Sequence, residues 1–179
     1  MHETADDLID LQNLLDESDA LAGQHCVRSS RERRLSARET CERLPGMRLS
    51  ALATLSRDGR PFVGPVDGVF FRGSFHFSSS NDSLRVRHIR ERPFVSATHL
   101  PGEDFAVTVH ASALVLDATD QQHSLLRETL REIYVPAYGA RWDEFLESSV
   151  LMKIRASRMF TFHLAQEVII GPWRRAWLP

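Results

Sequence analysis

Five residues within one short stretch could hold an anion: Ser78, Ser79, Ser80 and Ser83, then Arg85, in "FHFSSSNDSLRVRHIRERPFVSATH". A helix N-terminus leaves backbone N–H groups unpaired and carries partial positive charge, so phosphate sits well there. The serine hydroxyls add donors at the same end, and Arg85 can fold back with a two-pronged guanidinium. Arg87 and His88 fall on adjoining faces, and Arg90 lies further along. The plainer reading, in which Ser80 or Asp82 caps the helix and the arginines face water, stands beside it.

Composition narrows the anion. Net charge is −2, from 22 basic and 24 acidic residues, whereas a whole-protein nucleic-acid or membrane binder would show a basic excess. Asp82 and Glu91 interrupt the Arg85–Arg92 stripe, and no aromatic residue interleaves with it, so a nucleic-acid role is the weakest reading. No apolar run reaches membrane-spanning length. The opening "MHETADDLID" is acidic and lacks an export-signal layout, so we expect a cytoplasmic protein with no membrane partner. Cys26 and Cys41 make neither a disulfide framework nor a metal cluster. His76, His99 and His110 follow no metal-ligand spacing. Lys153 is the one lysine, a bias that compositional drift alone could produce.

The elements around the serine turn follow from periodicity. Residues 6–20 form an amphipathic helix with Leu8, Leu11 and Leu15 on one side. Seven acids precede Ala20, and "VRSSRERR" then reverses the charge. We take 1–34 as a helical arm and linker that packs on its own domain, packs on a sister subunit or stays solvated, and 35–179 as the main domain. Ser36 with Glu39 makes a capping box, and Pro45-Gly46 stops a helix over 36–44.

The period then changes to two. "MRLSALATLS" and "PFVGPVDGVFF" are strands joined at Asp58-Gly59. Gly64, Pro65 and Gly68 fit a ladder poorly, which predicts a bulge or a close backbone approach. "FHFSS" is a third strand, the basic helix spans about 81–91, "FVSATHL" is a fourth strand and "FAVTVHASALVLD" a fifth. Helices follow at about 120–134 and in "ARWDEFLES", then a sixth strand in "VLMKIRASRMFTFH". The tail "LAQEVIIGPWRRAWLP" looks irregular. Six strands in hairpin succession with helices inserted predict a six-stranded antiparallel Greek-key barrel, mainly β with flanking helices. No dinucleotide fingerprint, P-loop or nucleophile elbow is present.

The pieces "LATLSRDGRPFVGPV", "FHFSSSNDSLRVRHIRERPFVS" and "VTVHASALV" together resemble the flavin-binding split-barrel family of pyridoxamine 5'-phosphate oxidase. The resemblance implies a split barrel binding flavin mononucleotide (FMN) at the interface of a homodimer. By position it implies that Ser78 and Ser79 meet the cofactor, that Ser83 starts the helix, and that Arg85 takes the phosphate-binding lysine's place. Gly64, Pro65, Val66, Asp67, Gly68 and Val69 match the strand that faces the flavin ring. Small residues there leave room for a flat ring, and Asp67 either accepts a ring N–H or faces solvent. The oxidase has arginine at the Gly64 position, lysine at Val69 and glutamine at Ala106, and its C-terminal "RLH" is missing here. The resemblance therefore implies an oxidoreductase acting on an unknown small-molecule substrate. No catalytic acid or base is named. Trp173 and Trp177 would cover a flavin across the dimer or merely anchor the tail. A deazaflavin, with Arg85, Arg87 and Arg90 on its anionic tail, is the second expectation. A non-catalytic haem or tetrapyrrole module is the third.

Overall fold

A computed structural model describes residues 2–22, 33–139 and 141–164. Six strands close into one antiparallel barrel in the order β1-β2-β3-β6-β5-β4. They are β1 (Met47–Leu55), β2 (Pro61–Phe71), β3 (Ser74–Ser80), β4 (Phe94–His99), β5 (Phe105–Leu116) and β6 (Ser149–His163). The helices are α1 (Ala5–Leu21), α2 (Ala37–Arg43), α3 (Leu84–Glu91), α4 (Ser124–Tyr138) and α5 (Arg141–Glu147). The expected strands and helices are therefore present in their expected order.

Alternation sets the two faces of the wall. Leu52, Val66, Phe70, Phe75, Phe77, Val107, Val109 and Met152 point inward and form the main core. Val69, Phe71 and Leu151 point outward and form a second core with Leu126 and Leu130 of α4 and Trp142 of α5.

The turns are set by local chemistry. Gly59, at φ 83°, closes the β1–β2 hairpin by donating its N–H to the Ser56 carbonyl at 2.9 Å. Arg72 and Gly73 both take positive φ, 47° and 70°, as a two-residue hairpin turn with the twist of its strands requires. The Ser36–Glu39 capping box starts α2 as expected. A second box, Thr4 with Asp7, starts α1.

The expected irregularity in β2 takes only one of its two forms. The β1–β2 register runs unbroken from Met47–Val69 to Leu55–Pro61. The bulge lies instead between His110 and Ala111, on the β5–β6 pair. Close approach does occur at Gly68, where a Cβ would stand 2.3 Å from the His76 carbonyl oxygen.

Helix α1 lies against the barrel. Leu11 and Leu15 join the main core, each contributing about 1.5–3 kcal/mol by burial. Asp19 of the acidic helix and Arg34 pair at 2.8 Å. Ser18 is fully buried; its hydroxyl donates to the Leu14 carbonyl at 2.6 Å and accepts the Met159 N–H at 2.9 Å. Along the rest of β6 the Thr161 hydroxyl accepts the Leu35 N–H at 3.0 Å. Strand β3 pairs with β6 only as far as Lys153, so α1 and the 33–36 segment cover the free edge beyond it.

Helix α4 begins and ends later than its periodicity implied. Asp120 caps a short 3-10 turn, Gln121–His123, and the α-helix runs from Ser124 through Pro136 to Tyr138. The extension matters, because it puts Tyr138 one turn beyond Tyr134.

Candidate functional site

The serine turn connects β3 to α3, and its members divide. Ser83 is the helix N-cap, accepting the Val86 N–H at 3.2 Å. Ser79 points inward, nearly buried, with its hydroxyl 3.1 Å from that of Ser83. Ser80 bonds to Asp82 across the turn. Ser78 points to the other face of β3, and its buried hydroxyl has no hydrogen-bond partner among the described residues.

The arginines also divide. Arg90 donates to the Asn81 side chain at 2.7 Å and braces the turn. Arg92 donates to the Arg57 carbonyl at 2.8 Å and ties α3 to the β1–β2 hairpin. Arg87 is exposed. Arg85 alone folds back over β2, donating to the Pro65 carbonyl at 2.7 Å. No carboxylate forms an ion pair with it among the described residues. Burial pulls its pKa below the usual arginine range, and the Asp67 charge partly offsets this. A half-buried guanidinium with one neutral acceptor has donors to spare for an anion.

Arg85 forms one wall of a shallow cleft of about 190 Å³, with Thr54, Phe62, Gly64, Leu84 and His88 around it. Gly64 keeps the cleft open, since a Cβ there would meet Arg85 Nη2 at 3.4 Å. His88 is buried at the base, its Nδ1 3.1 Å from the Thr54 hydroxyl and its ring 5.0 Å from that of Phe62. Thr54, Phe62 and His88 were not among the residues expected from sequence. His88, on a basic helix, gave no signal for burial beneath a cleft.

The six residues of β2 split by face. Gly64 and Pro65 border the cleft, through a missing side chain and a carbonyl acceptor respectively. Val66 points into the barrel core, and Gly68 lies packed beneath the His76 backbone. Val69 is buried under α4 and α5. Asp67 points outward beside Tyr134, whose phenol is pushed up by burial first and by the Asp67 charge second. Trp173 lies outside the described residues, as do Trp177 and Cys26.

The remaining candidates are structural. Cys41 is a buried free thiol whose pKa burial pushes up to about 12, which leaves it protonated and inert. His99 is buried with Nδ1 2.7 Å from the Leu49 carbonyl, and His76 with Nδ1 3.1 Å from the Ser74 carbonyl. No group of three metal-ligating side chains occurs among the described residues. No helix among them is long and apolar enough to cross a membrane.

The outer face of β1 beside the cleft is apolar and bare. Met47, Leu49, Ala51 and Ala53 alternate with the buried Ser50, Leu52 and Thr54. Leu49 is 59% exposed, Val63 on β2 71% and Phe94 on β4 66%.

Comparison with solved structures gives the fold many relatives at low identity. A conserved hypothetical protein from Mycobacterium tuberculosis superposes with a TM-score of 0.63 at 16% identity, covering 79% of this chain and 92% of that one. A haem storage protein from Vibrio cholerae gives 0.56 at 18%, covering 64% and 86%. An FAD-binding protein from Mesorhizobium loti gives 0.53 at 20%, covering 72% and 93%. Nothing among curated protein sequences matches this chain. The family model described as pyridoxamine 5'-phosphate oxidase matches residues 37–163, from the first residue of α2 to the last of β6. With well over half the chain matched, and with a closed six-stranded barrel carrying its serine turn and arginine beside the second strand, the chain belongs to the pyridoxamine 5'-phosphate oxidase family.

Proposed function

We propose that the protein is an FMN-binding oxidoreductase that works as a homodimer, with its cofactor at the boundary between two copies. The observation that carries this reading is Arg85: a half-buried guanidinium, unpaired with any described carboxylate, folded back over Gly64 from the first turn of the helix that Ser83 caps. That donor set suits a phosphate monoester. Without a side chain at Gly64, Arg85 Nη2 comes to 3.4 Å of where a Cβ would stand, and the bare backbone suits a ring system laid along β2. FMN, when bound, supplies hydride or electron transfer. The chain's own part is to bind the phosphate through Arg85 and the serine turn, and to orient the ring with the Gly64–Pro65 backbone. The second copy is supported by the bare apolar strip of Leu49, Val63 and Phe94, since exposed apolar area of this kind marks association surfaces.

Deazaflavin receives less support, because Arg90 is engaged with Asn81 and Arg87 stands exposed, leaving Arg85 alone at the cleft. Haem receives less support as well, because His76, His88 and His99 are buried. Mass spectrometry of the ligand released on denaturation distinguishes the three. Arg85→Ala should weaken FMN by about 10–100-fold, the equivalent of one or two charge-assisted hydrogen bonds, with circular dichroism unchanged. Equal affinity in variant and parent would overturn the phosphate assignment.

A further inference from the structure

A second cavity, of about 290 Å³, opens on the outer face of β2, on the far side of Asp67 from the Arg85 cleft. It lies between that strand and the α4–α5 pair. Four aromatic rings line it. Tyr134 and Trp142 stack face to face at 4.1 Å and 7°, Phe145 leans on Trp142 at 5.5 Å, and Tyr138 lies 6.2 Å from Tyr134. Asp67 and Arg141 supply its charges.

The polar inventory of this cavity is incomplete. Trp142 is 93% buried by its 7% exposure, yet its indole N–H has no hydrogen-bond partner among the described residues. An unmet donor of this kind costs about 1–3 kcal/mol and is rare in folded proteins. Asp67, exposed at the mouth of the cavity beside the Tyr134 phenol, has no ion-pair partner among the described residues.

We propose that this cavity binds a planar ring bearing an amide or lactam, its N–H donated to Asp67, its carbonyl accepting from the Trp142 indole, and its face against the aromatic wall. The volume lies at the small end of ligand pockets and suits a small planar ligand. The pairing of one acceptor with one donor selects a ligand that carries both, over a simple hydrocarbon or a bare cation. Arg141 is exposed at the rim, where water screens its charge. If FMN lies along β2 as proposed above, the cavity opens beside the Asp67 end of its ring, and the occupant is the substrate; that assignment of role rests on the flavin reading, and the binding does not.

Benzamide is the probe, added to the full-length protein as purified and followed by the NMR signal of the Trp142 indole N–H. That signal should move saturably with benzamide and stay still with N,N-dimethylbenzamide, which lacks the N–H. Asp67→Ala should weaken benzamide by about tenfold or more, as loss of a charge-assisted hydrogen bond implies. Tyr138→Ala, at a half-exposed position, should weaken it severalfold without disturbing the fold. An unmoved indole signal, equal binding of the two amides, or undiminished affinity in Asp67→Ala would each overturn the proposal. Failure of the flavin reading shows separately, as the absence of FMN among the compounds released on denaturation.

Discussion

On one side of the barrel α4 and α5 bury Val69, Phe71 and Leu151, while on the other Met47, Leu49, Val63 and Phe94 stand exposed. Both sides read as alternating strands, and both carry large apolar residues outward. What differs is the cover. The chain spends its two late helices on one side and offers the other to water or to a second copy. Strand β2 belongs to both regions, with its Pro65 end beside the open cleft and its Val69 end under the helices. The Arg85 cleft and the aromatic cavity lie on either side of that change.

The sharpest way to break the contrast is to remove one leucine from each side. Leu130→Ala, under α4 and 1% exposed, should cost about 2–5 kcal/mol in urea unfolding. Leu49→Arg should leave the unfolding of a monomer nearly unchanged and should halve the mass measured by light scattering. A parent that is already monomeric would remove the dimer from the proposal.

The two glycines of β2 give the next largest effect. Gly68→Ala would force a Cβ to within 2.3 Å of a backbone oxygen, which cannot move without the β2–β3 ladder, and should cost about 3 kcal/mol. Gly64→Ala meets only the end of a flexible arginine at 3.4 Å. It should leave the midpoint of thermal unfolding within a few degrees of the parent while lowering FMN affinity. Similar losses of stability in both variants would erase the distinction between the two ends of the strand.

The smallest expected effect is a pH dependence confined to the covered side. His76 is buried against Phe71, and its pKa is pushed down to about 3 by burial first and by the Lys153 charge second. The unfolded chain takes up this proton below about pH 6.5, whereas the folded chain resists it down to about 3. Its contribution is therefore complete above 6.5 and drains away as pH falls, by about 1.4 kcal/mol per pH unit. Between pH 6.5 and 5 the parent should lose about 2 kcal/mol more than His76→Gln. Parallel profiles would place the histidine in contact with water.

The barrel was legible in the sequence because its signals are local. Alternation, Asp58-Gly59 and the Ser36–Glu39 box each act within a few residues, and each is where the sequence placed it. The anion corner was legible in part: Arg85 and Ser83 sit together, but nothing local distinguishes Arg85 from Arg90, which differ only in which neighbour the fold brings to them. The aromatic cavity was not legible at all. Asp67 and Tyr134 lie far apart in sequence, and the placing of Tyr138 depends on α4 continuing past Pro136, where a proline suggests an earlier stop. The shifted bulge has the same origin, since the glycines of β2 announce close packing without saying whether the register survives it.

The hydroxyl of Ser18 stands in for a missing seventh strand, giving Met159 the acceptor that no neighbouring strand supplies. An N-terminal helix used in this way is part of the wall, so its loosening and the opening of the barrel form a single event. Hydrogen exchange at the Met159 amide would time that event, and a chain cut ahead of Ala37 would leave the strand open to self-association through its bared backbone.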